Sequence, residues 1–121
     1  MAKKLLIVDD SPSVRQMIEA TLKGAGYAVT AAKDGQEAFE KCRSERFDFV
    51  LTDQNMPRMD GITLIKSLRA MSAYARVPLI VLTTEAGDAL KSQGRAAGAT
   101  GWMVKPFDPS KLLDVVKKVL G

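Results

Sequence analysis

Leu5-Leu6-Ile7-Val8-Asp9-Asp10-Ser11-Pro12 is the stretch that decides the fold. Four aliphatic residues in succession leave neither side of a strand alternation polar, as expected of a strand covered on both faces. Two acids close the run, and then Ser11 can cap a helix whose first turn suits Pro12. The same grammar returns three times. Phe49-Val50-Leu51-Thr52 ends at Asp53, Leu79-Ile80-Val81-Leu82 at Thr83, and Trp102-Met103-Val104 at Lys105. Residues 27–32 mix polar and apolar side chains and read as an edge strand.

Between these runs lie segments of helical period, so strands and helices alternate, which is the pattern of parallel strands joined by crossover helices. In the first helix Val14, Met17, Ile18, Leu22 and Ala25 recur on one face, and Gly24 and Gly26 offer a stop. Asp34 with Glu37 suits the start of the second, whose buried side would be Ala38, Phe39 and Cys42. Ile62, Leu64, Ile65 and Leu68 serve the third. Asp108 and Pro109 open the last, with Leu112, Leu113, Val116, Val119 and Leu120 toward the sheet. The fourth, near residues 88–97, has Leu90 as its only large aliphatic and carries Gly94 mid-helix at a cost of about 1 kcal/mol against alanine. It is either a short peripheral helix or a weakly held element that shifts when the site changes.

The expectation is one α/β domain over residues 1–121: a doubly wound, flavodoxin-like sheet of five parallel strands with five helices. At 121 residues there is room for one core, and the apolar fraction of 46% is ordinary for a globular chain. No leader pattern opens the sequence, and no apolar stretch nears the roughly 18 residues that span a bilayer. The reading is a cytoplasmic protein without a membrane partner, with a monomer as the default state. The net charge of +4 is dispersed rather than gathered in a basic run, which argues against nucleic acid and leaves acidic protein partners open. Cys42 is alone, so no internal disulfide can form, and it reads as a small buried hydrophobe. The chain has no histidine. A histidine base, zinc ligand or phosphohistidine is thereby excluded, and any phosphoryl group must come from outside.

In an open parallel sheet, ligands bind beyond the carboxyl ends of the strands, where strand order reverses. Asp9, Asp10, Asp53, Thr83 and Lys105 all fall at such ends. With strand order 2-1-3-4-5 the three acids would converge against one lysine, and a hard dication with oxygen ligands, Mg²⁺, would cancel the excess charge. Asp53 could then act as nucleophile toward a phosphoryl group, with Thr83 donating to one of its oxygens and Lys105 pairing with another. New acceptor oxygens on Asp53 would draw the loops after the fourth and fifth strands inward.

The motifs Val8-Asp9-Asp10-Ser11, Asp53-Gln54-Asn55-Met56-Pro57-Arg58-Met59-Asp60-Gly61, Val81-Leu82-Thr83-Thr84 and Lys105-Pro106-Phe107 resemble the receiver domain of bacterial two-component response regulators, especially its single-domain, CheY-like chemotaxis members. The order 2-1-3-4-5 rests partly on this resemblance, which spans essentially the whole chain. It implies Asp9 and Asp10 as metal-binding acids, Asp53 as phosphoacceptor, and the backbone carbonyl of Asn55 as a further metal ligand. It also implies a cis Lys105-Pro106 bond, self-dephosphorylation tuned at Asn55 and Glu85, and a switch surface on the fourth helix, fifth strand and fifth helix that includes Lys91, Arg95, Trp102 and Lys118. The implied partners are a CheA-like histidine kinase, an output protein such as the flagellar motor switch, and a phosphatase. Two positions depart from the family pattern. Trp102 stands where tyrosine or phenylalanine is usual, and it either turns into the inward pocket or sits on a partner surface. Thr84 is larger than the residue common there and could narrow access to the site.

Two other readings compete. A phosphorelay intermediate would present the site itself, near the first helix and Arg15. A haloacid-dehalogenase-like Mg²⁺-dependent hydrolase would also form an aspartyl phosphate, but its acids are spaced Asp-x-Asp whereas Asp9 and Asp10 are adjacent. No phosphate-binding glycine loop or dinucleotide fingerprint is present.

Overall fold

A computed structural model of the chain describes residues 2–84 and 88–120. Five strands, β1 (Lys4–Val8), β2 (Ala28–Ala32), β3 (Phe49–Asp53), β4 (Leu79–Thr83) and β5 (Gly101–Val104), form one parallel sheet in the order β2-β1-β3-β4-β5. Four helices cross between them, α1 (Pro12–Gly24), α2 (Gly35–Ser44), α3 (Gly61–Arg69) and α4 (Asp88–Ala97), and α5 (Pro109–Leu120) follows β5. This is the doubly wound, flavodoxin-like arrangement expected, with β2 at the edge.

The period of two along each strand divides the core into two layers. Leu6, Val8, Val50, Leu79 and Val81 pack with Ala38, Cys42, Leu64, Ile65 and Leu68 beneath α2 and α3. Leu5, Ile7, Phe49, Leu51, Ile80, Leu82 and Met103 pack with Ile18, Leu22, Leu112 and Val116 beneath α1 and α5. Burial of each Val, Leu, Ile, Phe or Met among them contributes roughly 1.5–3 kcal/mol, so the sheet is fixed from both faces. Register follows: Leu5 lies opposite Phe49, Asp53 opposite Leu82, and Thr83 opposite Val104.

The caps explain where the helices begin. The Asp34 carboxylate accepts the Glu37 N–H at 2.8 Å, and Glu37 reaches back to the Lys33 N–H at 2.7 Å. Asp60 caps α3 through the Thr63 N–H, also at 2.8 Å. One expected core position is corrected. Ala25 is exposed, because α1 ends at Gly24 and the chain turns there, with the Gly26 N–H donating to the Lys23 carbonyl and Gly26 at φ +97°. Ala25 therefore leaves the helical period that would have buried it.

The α4 face is made of small residues. Gly94 and Ala97 are its buried positions, Leu90 is half-buried, and the indole of Trp102 lies against Gly94. At the opposite pole from the acids, Arg69 ties the ends of several elements together. Its guanidinium donates to the carbonyls of Gly98, Tyr74 and Val77 and to the Thr100 hydroxyl, at 2.7–3.1 Å. Five donors in a planar fork can meet four acceptors at once, which a lysine could not do.

Candidate functional site

The reversal of strand order between β1 and β3 leaves a crevice at their carboxyl ends, and the chain fills it with acids. Side-chain oxygens of Asp9, Asp10 and Asp53 all lie within 4.8 Å of one another. Asp9 and Asp53 are buried and Asp10 is exposed. The residue after β5 brings in an ammonium group: Lys105 Nζ stands 3.1 Å from Asp9 Oδ2 and 3.4 Å from Asp53 Oδ1. The Lys105–Pro106 bond is cis.

The three acids are held differently. Asp9 is committed at both oxygens, Oδ1 to the Ser11 N–H at 2.9 Å and Oδ2 to Lys105. Its backbone carbonyl accepts from the Arg15 guanidinium at 2.8 Å. Asp53 Oδ1 accepts the Gln54 N–H at 3.0 Å as well as facing Lys105. Asp10 accepts no hydrogen bond among the described residues and turns to solvent.

Electrostatics mark the cluster as short of positive charge. Burial, and then the neighbouring charge of Asp9, push the Asp53 carboxyl above its ordinary value, and Lys105 only partly offsets them. Burial pulls the Lys105 ammonium down, but its hydrogen bond to Asp9 and the charges of Asp9 and Asp53 outweigh that, and it ends above its usual value. Among the described residues, three carboxylates against the ammonium of Lys105 leave a surplus of negative charge. An oxygen-only donor set with that surplus fits a hard dication.

Thr83 is buried as the last residue of β4, and its carbonyl accepts the Lys105 N–H at 2.8 Å. Thr84 is exposed and lines an apolar groove of about 310 Å³ with Val14, Met17, Lys105, Pro106 and Phe107. Asn55 is exposed, two residues beyond Asp53. Glu85 lies outside the described residues. Lys91, Arg95 and Trp102 line one cleft of about 150 Å³ between α4 and β5, whereas Lys118 is exposed on α5 and does not line it. Trp102 is half-buried against the layer under α2, α3 and α4, and its indole N–H is enclosed without an acceptor among the described residues.

Several supporting residues escaped the sequence reading. Gln54 is buried, donates its N–H to Asp53, and accepts the Ile62 N–H at 2.9 Å through Oε1, so one residue joins the acid to the start of α3. Gly61 is required because a Cβ there would fall on the Asp53 carbonyl oxygen. Gly35 faces the Met59 carbonyl in the same way. A glycine after an acidic turn was the available signal in both cases, but only the fold shows what it approaches.

Other proteins share this arrangement. The chain is 42% identical over 120 residues to the chemotaxis protein CheY1 of Helicobacter pylori, covering 98% of this chain and 97% of that protein. The chemotaxis response regulator CheY4 of Vibrio cholerae superposes with a TM-score of 0.95 at 47% identity, over 98% of this chain and 99% of that one. The receiver domain of the sensor histidine kinase PA1611 from Pseudomonas aeruginosa PAO1, solved with a magnesium ion coordinated in its active site cleft, matches with a TM-score of 0.92 at 31% identity, over 100% of this chain and 99% of that one. The family profile described as the response regulator receiver domain covers residues 5–117. A sheet that gathers its acids at the β1–β3 crevice, under a profile that runs through all five strands, makes this chain a CheY-like member of the response regulator receiver family, whose members are signalling proteins.

Proposed function

We propose that this chain is a phosphorylation-activated switch of a two-component system, accepting a phosphoryl group from a histidine kinase onto Asp53. One observation carries the reading: three carboxylates from two neighbouring strands converge within 4.8 Å, with the amine of a third strand against two of them. Asp9, Asp10, Asp53 and the Asn55 carbonyl would hold Mg²⁺, which when bound neutralises the surplus acid charge and the charge on phosphoryl oxygens.

The chain's own groups do the rest. An Asp53 oxygen attacks the phosphorus of a phosphohistidine, the P–N bond breaks, and the imidazole leaves with its electron pair while the acyl phosphate forms. Lys105 pairs with a phosphoryl oxygen, and Thr83 donates to another. Movement of β4 and β5 toward these oxygens alters the surface of α4, β5 and α5, where Lys91, Arg95, Trp102 and Lys118 present a basic and aromatic face to an output protein. In the cytoplasm of a motile cell that partner would be the flagellar motor switch. Loss of the phosphoryl group to water, modulated at Asn55 and Glu85, resets the switch. No helix among the described residues is long and apolar enough to cross a membrane.

A specific observation favours one second role. The groove lined by Val14, Met17, Phe107 and Pro106 opens beside Lys105, where a helix bearing a histidine could dock. The same face would serve a phosphorelay, passing the group onward to another histidine protein. Trapping the acyl phosphate with borohydride, followed by peptide mapping, tests the assignment. A reduced residue at position 53 supports it, and reduction at another acid overturns it. Return of phosphate to a histidine phosphotransferase would favour the relay role.

A further inference from the structure

The loop after β3 is fastened at its ends but carries little internal structure. The Gln54 N–H donates to the Leu82 carbonyl, and the Gly61 N–H donates to the Gln54 carbonyl at 3.0 Å. Between these ties the hydrogen bond from the Met59 N–H to the Pro57 carbonyl, at 2.8 Å, is a local one. Met56 and Met59 rest against the core beneath α2 and α3, and the polar side of the loop is held by α2. The Met59 carbonyl lies against Gly35, where any side chain would collide with it. Next to it, Arg58 donates from Nη2 to Asp34 Oδ2 at 2.6 Å.

That ion pair is unusual in two ways. Arg58 sits at φ +68°, the only non-glycine residue with a positive φ among those described. The left-handed region disfavours a long side chain such as arginine, so something must hold it there. Asp34 is 2% exposed and already caps α2 through its other oxygen, so it is a fixed anchor rather than a mobile surface acid. The backbone N–H of Glu37, and then Arg58, keep its carboxyl charged by holding it below the ordinary range. A chain that needed only the turn could use asparagine or glycine at position 58.

We propose that Arg58 is a positioning residue: its ion pair with Asp34 fixes the loop of residues 55–59, and with it the Asn55 carbonyl, for the cation held by Asp9, Asp10 and Asp53. This rests on the reading of the acid cluster given above. It adds an anchor from α2, an element that contributes no ligand. The consequence is a separation of stability from metal affinity. Arg58→Asn removes the ion pair and the backbone strain together, so the fold should hold while the carbonyl loses its fixed place.

Calorimetric Mg²⁺ titration of the wild type, Arg58→Asn, Asp34→Asn, the double variant and Arg58→Lys tests this, with thermal unfolding measured alongside. Asp34→Asn keeps a capping oxygen and loses only the charge. The expected result is that each asparagine variant weakens Mg²⁺ binding about tenfold. The double variant should be no weaker than either single one. Arg58→Lys, which retains the charge, should recover most of the affinity, and the unfolding midpoint of Arg58→Asn should hardly move. Unchanged affinity in Arg58→Asn, or additive losses in the double variant, would overturn the proposal while leaving the acid site standing. A wild type that binds no Mg²⁺ would remove both.

Discussion

A methyl group on Gly94 would stand 2.8 Å from Cζ3 of Trp102, closer than carbon atoms pack, so the indole occupies the space that a side chain on α4 would need. Helix and strand are keyed together at this one point. Movement of α4 and reorientation of Trp102 are therefore coupled, and the two sequence readings, a weak fourth helix and an aromatic of uncertain direction, describe one contact. Gly94→Ala sets two effects against each other. Helix propensity favours alanine by about 1 kcal/mol, and overpacking costs roughly 1–3 kcal/mol. We expect overpacking to win, with a lower urea midpoint and a shifted Trp102 emission. Adding Trp102→Ala should return the propensity gain, and a Gly94→Ala variant as stable as wild type would show that the contact is slack.

Asp10 differs from its neighbour in facing solvent with no protein partner among the described residues. Its carboxylate accepts no hydrogen bond among the described residues, whereas Asp9 is engaged at both oxygens. Asp10→Ala should weaken Mg²⁺ binding by at least tenfold and leave the unfolding free energy from urea titration within about 0.5 kcal/mol of wild type, as for other exposed positions. Equal metal affinity in the variant would remove Asp10 from the site.

The crowding of acids has a signature in pH. Asp53 titrates above the ordinary carboxyl value of 3.8 in the folded protein, first because it is buried and then because Asp9 is charged beside it. Once pH exceeds 3.8, the unfolded chain releases this proton before the folded one does. Stability then falls with rising pH until the folded group has also ionised. Asp53→Asn lacks this term. In chelator-treated buffer the stability of Asp53→Asn relative to wild type should therefore rise across that window and then level off. Asp34 shifts the opposite way, through the Glu37 N–H and Arg58, so its contribution is lost as pH falls through its folded value. It is common to both proteins and cancels in the difference. A flat difference would contradict the charge account.

Cys42 is 3% exposed, and burial raises its thiol to about 11. At pH 8 very little thiolate forms and little of it can be reached. Iodoacetamide should label the native protein slowly and the urea-unfolded protein fully. Rapid native labelling would mean that α2 opens readily.

The strands were legible because a strand buried on both faces has to be almost wholly aliphatic, and four of these runs ended on a polar residue that the sheet then aligned. The acid cluster followed from that alignment. What remained hidden depended on contacts between distant parts of the chain. Gly94 looked like a flaw in a helix until Trp102 filled the space beside it. Gln54 stood out only as part of the motif that begins at Asp53, yet its backbone N–H donates to Asp53 and its side chain accepts the Ile62 N–H at the start of α3. Arg58 stood out only as one residue of the same motif, and nothing in its immediate neighbours announced a partner at Asp34. Ala25 was misplaced for the reverse reason: the helical period was extended through a stop that the glycines on either side had already signalled.

The proposed switch depends on Asp53 accepting a phosphoryl group in a reaction that needs a dication. Intact-mass spectrometry of the protein mixed with acetyl phosphate measures this directly, with and without Mg²⁺, for wild type and Asp53→Asn. One phosphoryl mass should appear on wild type only when Mg²⁺ is present, decay once the donor is removed, and never appear on Asp53→Asn. Labelling of Asp53→Asn to the same extent as wild type, or no labelling of a wild type shown to bind Mg²⁺, would contradict the proposed switch.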